Sequence, residues 1–149
     1  MAFSRYQYAW AALLLLLSAV GPFTTLSHAE QKTQLGPWDV HYIAFTSTFL
    51  TPDIAKTYGI MRSKFNGVVN ISVLDKSTQQ AQQAVLVGEA SNLLGVVKPL
   101  AFKEIKEGDA IYYIAVLPFS DQEQYRINVT INSGTQQATL KFQHKFYAE

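Results

Sequence analysis

Cysteine is absent from all 149 residues. That excludes a disulfide scaffold, Cys-ligated zinc, an iron–sulfur cluster, a thiol nucleophile and the acylated cysteine of a bacterial lipoprotein. An excess of either charge is also missing, with 12 Lys+Arg against 11 Asp+Glu and no basic run, so nucleic acid is not an expected partner. No G-x-S-x-G, G-x-G-x-x-G, P-loop or H-E-x-x-H string occurs, and the eight glycines stand singly; phosphate-cradling loops are therefore excluded. What is present is a chain 48% hydrophobic and 15% charged, too apolar for intrinsic disorder and of a length that suits one domain.

The first segment differs from the rest. Arg5 precedes an uncharged run from Ala9 to Val20 that includes Leu13 to Leu17, followed by Gly21-Pro22 and Ser27-His28-Ala29. This is the plan of a secretory signal peptide over residues 1–29, cut between Ala29 and Glu30. The apolar run is shorter than the roughly 20 residues of a membrane-spanning helix; an uncleaved anchor is the alternative. Removing the first 29 residues, with Arg5, leaves 120 residues carrying 11 basic and 11 acidic side chains. Residues 30–149 are expected to form a single β-sandwich domain, large enough to bury about two thirds of its unfolded surface without disulfides. A bacterial periplasm suits such a chain. The sequons Asn70-Ile71-Ser72 and Asn128-Val129-Thr130 fall inside predicted strands and read as chance matches.

Beyond residue 36 the apolar residues recur with a period of two, broken by turn residues. Tyr125 to Asn132 alternates strictly, Ser133-Gly134 makes a turn, and Ala138, Leu140, Phe142 and Phe146 share one face of a returning strand, whose stripe His144 interrupts. Ala110 to Leu117 is apolar on both faces, which predicts a central strand with a cover over its second face. It pairs through Lys106-Glu107-Gly108 with a strand around Val97 to Ile105, where Pro99 argues for an edge. Further strands are expected at Gly67 to Leu74 and Ala84 to Ser91, separated by a Gln-rich loop from Ser77 to Gln83. In the first strand, Trp38 to Leu50, the bulky residues change phase from Trp38, Val40 and Tyr42 to Ile43, Phe45 and Phe49, suggesting a bulge or a switch of sheet. Thr51, Pro52, Asp53 and Gly59 then frame a helix of about two turns. The expected fold is all-β, an immunoglobulin-like β-sandwich of about seven strands with one short helix after the first. Asp121 and Tyr125, with Ile127 two residues on, have the spacing of a tyrosine corner; an ordinary buried tyrosine is the alternative.

Little in this chain suggests catalysis. Only His41 and His144 survive loss of the leader, so no metal site or cofactor is expected. His41 with Asp39 and Ser47 could sketch a hydrolytic triad, but residues two apart on a strand are about 7 Å apart and no oxyanion hole is evident. Glu104, Glu107 and Asp109 crowd one turn and read as solvated acids rather than a glycosidase pair. Arg62 and Lys64 could hold a carboxylate or a lipid headgroup if both lie on one strand face. Tyr42, Phe45, Phe49 and Tyr58 surround the strand-to-helix corner, where they either pack the helix or form an interface.

The stretch from His41 to Ala55, with Tyr58-Gly59-Ile60, Arg62-Ser63-Lys64, Gly67 to Leu74, Ile111-Tyr112-Tyr113 and Pro118-Phe119, resembles domain-of-unknown-function family 4426, which groups small exported proteins of Gram-negative bacteria. The family pattern carries Asn-Ala-Phe where this chain reads Ile43-Ala44-Phe45. The resemblance implies a periplasmic β-sandwich and transfers no catalytic or binding residue. The leading expectation is a non-enzymatic periplasmic module that binds or assists envelope proteins through Tyr42, Phe45, Phe49, Tyr58, Arg62 and Lys64. The alternative is a carrier of a small apolar ligand or lipid held between the sheets; a small hydrolase using His41 comes third.

Overall fold

The computed structural model describes residues 29–149, so the leader expected at 1–29 lies almost wholly outside the described residues. Among the described residues nine strands form two sheets in which every pairing is antiparallel. The first sheet runs β1 (Gln31–Leu35), β2 (Trp38–Thr46), β3 (Asn66–Asp75), β7 (Ala110–Pro118), β6 (Lys103–Glu107). The second runs β5 (Val97–Leu100), β4 (Val85–Asn92), β8 (Gln124–Ser133), β9 (Gln136–Lys145). Leaving out β1, the orders β2-β3-β7-β6 and β5-β4-β8-β9 match strands A-B-E-D and C′-C-F-G of the immunoglobulin sandwich.

The alternation that predicts the strands also builds the core. Val40 on β2, Val69, Ile71 and Val73 on β3, Ile127, Val129 and Ile131 on β8 and Leu140 on β9 point inward with almost no exposed area. Each contributes about 1.5–3 kcal/mol of apolar transfer free energy. Phe146 closes the core beside Phe119, with ring centroids 4.9 Å apart. A Cβ on Gly67 would stand 2.5 Å from that ring, so glycine is what lets β3 pass so close. Tyr125 is fully buried at the β7–β8 corner and its hydroxyl turns back to within 3.4 Å of the Pro118 carbonyl. Asp121 takes no part in this corner; its carboxylate accepts the Ala148 N–H at 2.9 Å.

Three expectations are corrected. The strand expected over Val97 to Ile105 is two strands in different sheets, β5 pairing with β4 and β6 with β7; Pro99 sits on the β5 edge and the chain crosses between sheets after Leu100. The count rises further through β1, a polar edge strand on β2. The phase change in β2 involves no bulge, because its register with β3 is continuous from Trp38 opposite Asp75 to Thr46 opposite Gly67. A bulky residue occurs at Phe45 because the outer face there is also covered. The cover is α1 (Pro52–Tyr58), capped by Thr51 Oγ1 accepting the Ile54 N–H at 3.3 Å and ended by Gly59 at φ +68°. Ala55 and Ile60 from this segment pack with Val68, Phe45, Leu50, Tyr58 and Ile114. The same cover accounts for Ile114 on the outer face of β7, whereas Val116 on that face stays exposed.

Candidate functional site

The chain leaves β2 through a single 3₁₀ turn at Ser47–Phe49, enters α1, and returns through residues 60–65. Ser47 is fully buried and ties the two limbs together, its hydroxyl donating to the Ser63 carbonyl and accepting the Ser63 N–H, both at 2.9 Å. Arg62 Nη2 donates to the Thr48 carbonyl at 3.1 Å, and Lys64 Nζ lies 5.2 Å from the centroid of the Phe65 ring. Arg62 and Lys64 stand in a loop, not on a strand face. This loop and the 3₁₀ turn expose Phe49 (52%), Met61 (76%) and Phe65 (46%).

A second apolar tip opens at the same end of the sandwich. The β4–β5 turn exposes Leu93 (66%) and Leu94 (90%), with Val96 beside them. Asn92 holds it rigid: its Oδ1 accepts the N–H groups of Leu94 and Val96 at 3.0 and 2.9 Å, and its Nδ2 donates to Glu123 at 2.9 Å. The end of β7 links the two tips, for Phe119 N–H donates to the Phe65 carbonyl at 2.9 Å and Lys98 Nζ to the Pro118 carbonyl at 2.7 Å.

The predicted aromatic cluster divides among three places. Tyr42 faces the interior and packs on Phe142 of the opposite sheet, centroids 4.6 Å apart. Phe45 packs beneath α1, and Tyr58, the last residue of that helix, packs into the same cluster. Only Phe49 reaches the corner surface. Beside Phe45 and Tyr58 the outer face of the first sheet holds a cleft of about 260 Å³, lined also by Leu50, Ile60, Val68, Asn70, Glu107, Tyr112 and Ile114. At its rim the Tyr58 hydroxyl donates to Glu107 Oε2 at 2.7 Å, and this bond to a carboxylate, with partial burial, raises the tyrosine above its usual pKa. Tyr112 also lines a neighbouring cleft of about 390 Å³ that contains Glu30, His41, Ser72, Gln79 and Asp109.

His41, Asp39 and Ser47 do not assemble into a triad. Asp39 accepts Lys32 Nζ and Gln79 Nε2, each at 2.9 Å, and the Lys32 bond foremost holds its carboxyl below the usual range. His41 Nδ1 faces Glu30 Oε1 at 2.8 Å. Ser47, six residues further along, spends its hydroxyl on Ser63. Glu104 and Glu107 turn to different partners, Gln83 and Tyr113 for the first and Tyr58 for the second, and so do not flank one substrate. Among the described residues no three His, Asp or Glu side chains converge as a metal ion needs, and no helix is long and apolar enough to cross a membrane.

A model of the family described as "Domain of unknown function (DUF4426)" matches residues 32–149. The chain belongs to the DUF4426 family. A crystal structure of a DUF4426 family protein from Pseudomonas aeruginosa PAO1 is 34% identical over 80% of this chain and 96% of that one, with a TM-score of 0.71. At 9% identity, a copper-bound variant of FetP from uropathogenic Escherichia coli strain F11 shares the fold over 81% of this chain and 97% of that one, TM-score 0.60. FetP of the same strain as isolated after periplasmic expression is 10% identical over 79% and 92%, TM-score 0.53. No curated protein matches the chain. In this DUF4426 protein the apolar tip at Leu93-Leu94-Gly95-Val96-Val97 is the feature that sequence reasoning missed. Its signal was present as four apolar residues straddling a turn glycine, where a turn calls for polar ones.

Proposed function

We propose that this DUF4426 protein is an exported, periplasmic, non-enzymatic binding module that engages an envelope protein through one end of its sandwich. The observation that carries the reading is the joint exposure of Phe49, Met61, Phe65, Leu93 and Leu94 at that end. Monomeric soluble proteins rarely present large side chains in such a group unless something covers them, and anchors of this type supply most of the energy of an interface. Arg62 and Lys64 supply a cationic rim suited to acidic groups on the partner. The leader-like first segment and the absence of cysteine support the periplasmic setting. The alternative of an apolar carrier with its ligand between the sheets has less support, because Ile114 on the outer face of β7 packs with Ala55, Ile60 and Val68.

A photo-crosslinking residue placed at Met61 or Leu94 in living cells tests this, with one at Glu89 on the second sheet as control. The expected result is one recurrent envelope-protein adduct from both tip positions, absent from Glu89 and lost on Arg62→Glu with Lys64→Glu. Adducts to lipid alone would replace the protein partner with a membrane surface, and equal labelling at Glu89 would end the reading.

A further inference from the structure

Among the described residues, two buried side-chain polar atoms have no hydrogen-bond partner, Asn70 Oδ1 and His41 Nε2. Both belong to the outer face of the first sheet, and they line the two clefts that share Tyr112. Asn70 stands in the ladder directly between Ile43 on β2 and Ile114 on β7, and His41 stands opposite Ser72, the next outward residue of β3. An amide among isoleucines costs folding free energy unless something pairs with it, and an unpaired buried polar group inside a ligand-sized cleft marks a binding function.

The chemistry of the walls defines what would fit. The Asn70 cleft is apolar on most sides, from Phe45, Leu50, Ile60, Val68 and Ile114. Asn70 Oδ1 is an acceptor, while His41 already holds Glu30 Oε1 through Nδ1 at 2.8 Å. The carboxylates of Glu107, Glu30 and Asp109 line the two clefts, and neither contains Lys or Arg. We infer that the paired clefts form a binding site for a small organic cation, a primary amine on an apolar arm. The arm lies in the Asn70 cleft and the N–H donors meet Asn70 Oδ1 and the surrounding carboxylates, where charge-assisted bonds are the strong ones. Asn70 Oδ1 is shielded in the unliganded protein, so binding turns the half-buried Tyr112 ring, the wall common to both clefts, and joins them. This site lies on the outer face of the first sheet, and neither reading depends on the other.

The test is an NMR titration of the purified, ¹⁵N-labelled protein with phenethylamine, and with phenethyl alcohol and 3-phenylpropanoate as neutral and anionic matches in shape. Phenethylamine is expected to shift the Asn70 side-chain amide and Tyr112 resonances saturably. The alcohol should bind at least tenfold more weakly and the acid not at all. Glu107→Gln with Asp109→Asn should lower amine affinity at least fivefold while leaving alcohol affinity unchanged. Asn70→Leu should abolish the amine response and raise the melting temperature, since it replaces an orphaned amide by a side chain matched to its neighbours. A lowered melting temperature for Asn70→Leu would show that the amide is structurally satisfied and would overturn the inference. So would unshifted Asn70 resonances at millimolar amine, or an acid that binds as tightly as the amine.

Discussion

Ser47→Ala is the sharpest test of how the corner is built. The hydroxyl is fully buried and makes two bonds of 2.9 Å to the Ser63 backbone, one as donor and one as acceptor, with a longer contact of 3.4 Å to the Met61 carbonyl. Alanine removes one small polar atom, so the cavity it leaves adds little. The cost lies in the Ser63 N–H and C=O left without partners, at about 1–3 kcal/mol for an orphaned buried group and less for one that reaches water. Ser63 is half-buried, which places the total near 2 kcal/mol. That is a substantial part of a stability of about 5–15 kcal/mol. Urea unfolding should show a lower midpoint with an unchanged slope, since the surface exposed on unfolding barely changes. Hydrogen exchange is more specific: the Ser63 amide should lose its protection while β2–β3 ladder amides keep theirs. A loss below about 0.5 kcal/mol, or a Ser63 amide still protected, would refute the claim that Ser47 braces this loop. The braced loop carries Met61 and Arg62, so the same variant should weaken crosslinking at Met61 and spare Leu94.

Gly67→Ala should destabilise by about 1–3 kcal/mol, because the new methyl meets Phe146, whose ring is fixed by Phe119 and His144; Phe146→Leu in the same chain should recover part of the loss in a double-mutant cycle, and additivity would count against the contact. Asp75 Oδ1 accepts the N–H groups of Thr78 and Ser77 at 2.9 and 2.8 Å, and these bonds lower its pKa below 3.8. A depressed folded pKa stabilises above the unfolded value and is lost as pH falls through the folded one. The stability gap between wild type and Asp75→Asn should therefore be full at pH 6 and close below about pH 3.8; a gap that widens in acid would contradict it. Thr51→Ala removes the cap of α1 and should cost about 1 kcal/mol, read by thermal melts.

Period and punctuation make faces and turns legible, and they fail where a neighbour decides the outcome. Thr51, Pro52 and Gly59 frame α1 in the sequence because each acts on its own backbone, and the structure places the helix at Pro52–Tyr58. Tyr125 to Asn132 reads as one strand because its inward residues are apolar and its outward ones polar, and β8 follows that pattern throughout. Parity does not tell which sheet a strand joins. Val97 to Ile105 keeps enough alternation to look like one strand, yet the chain changes sheet between Leu100 and Lys103. Nor does parity tell what covers an outer face, so the phase change at Ile43 and Phe45 suggests a bulge when Phe45 is in fact packed with the helix segment. β1 lies beyond such reasoning, since a polar edge strand has no buried face to leave a pattern.

Asn70 marks the same limit at the candidate site. Along β3 it alternates with Val69 and Ile71 as any solvated polar residue would, and only the two neighbouring strands, bringing Ile43 and Ile114 to either side, turn it into an orphan. An outward asparagine costs nothing where water reaches it. With its Oδ1 buried beside the cleft that Tyr58 also lines, it carries a desolvation penalty that Leu or Val would avoid, while the neighbouring cluster around Phe45, Val68 and Ile114 is apolar. A local rule broken within an otherwise consistent pattern is expected at functional sites, where stability is surrendered for recognition. The melting temperature of Asn70→Leu is therefore informative apart from any ligand: a rise identifies the amide as retained against stability, and a fall identifies it as part of the packing.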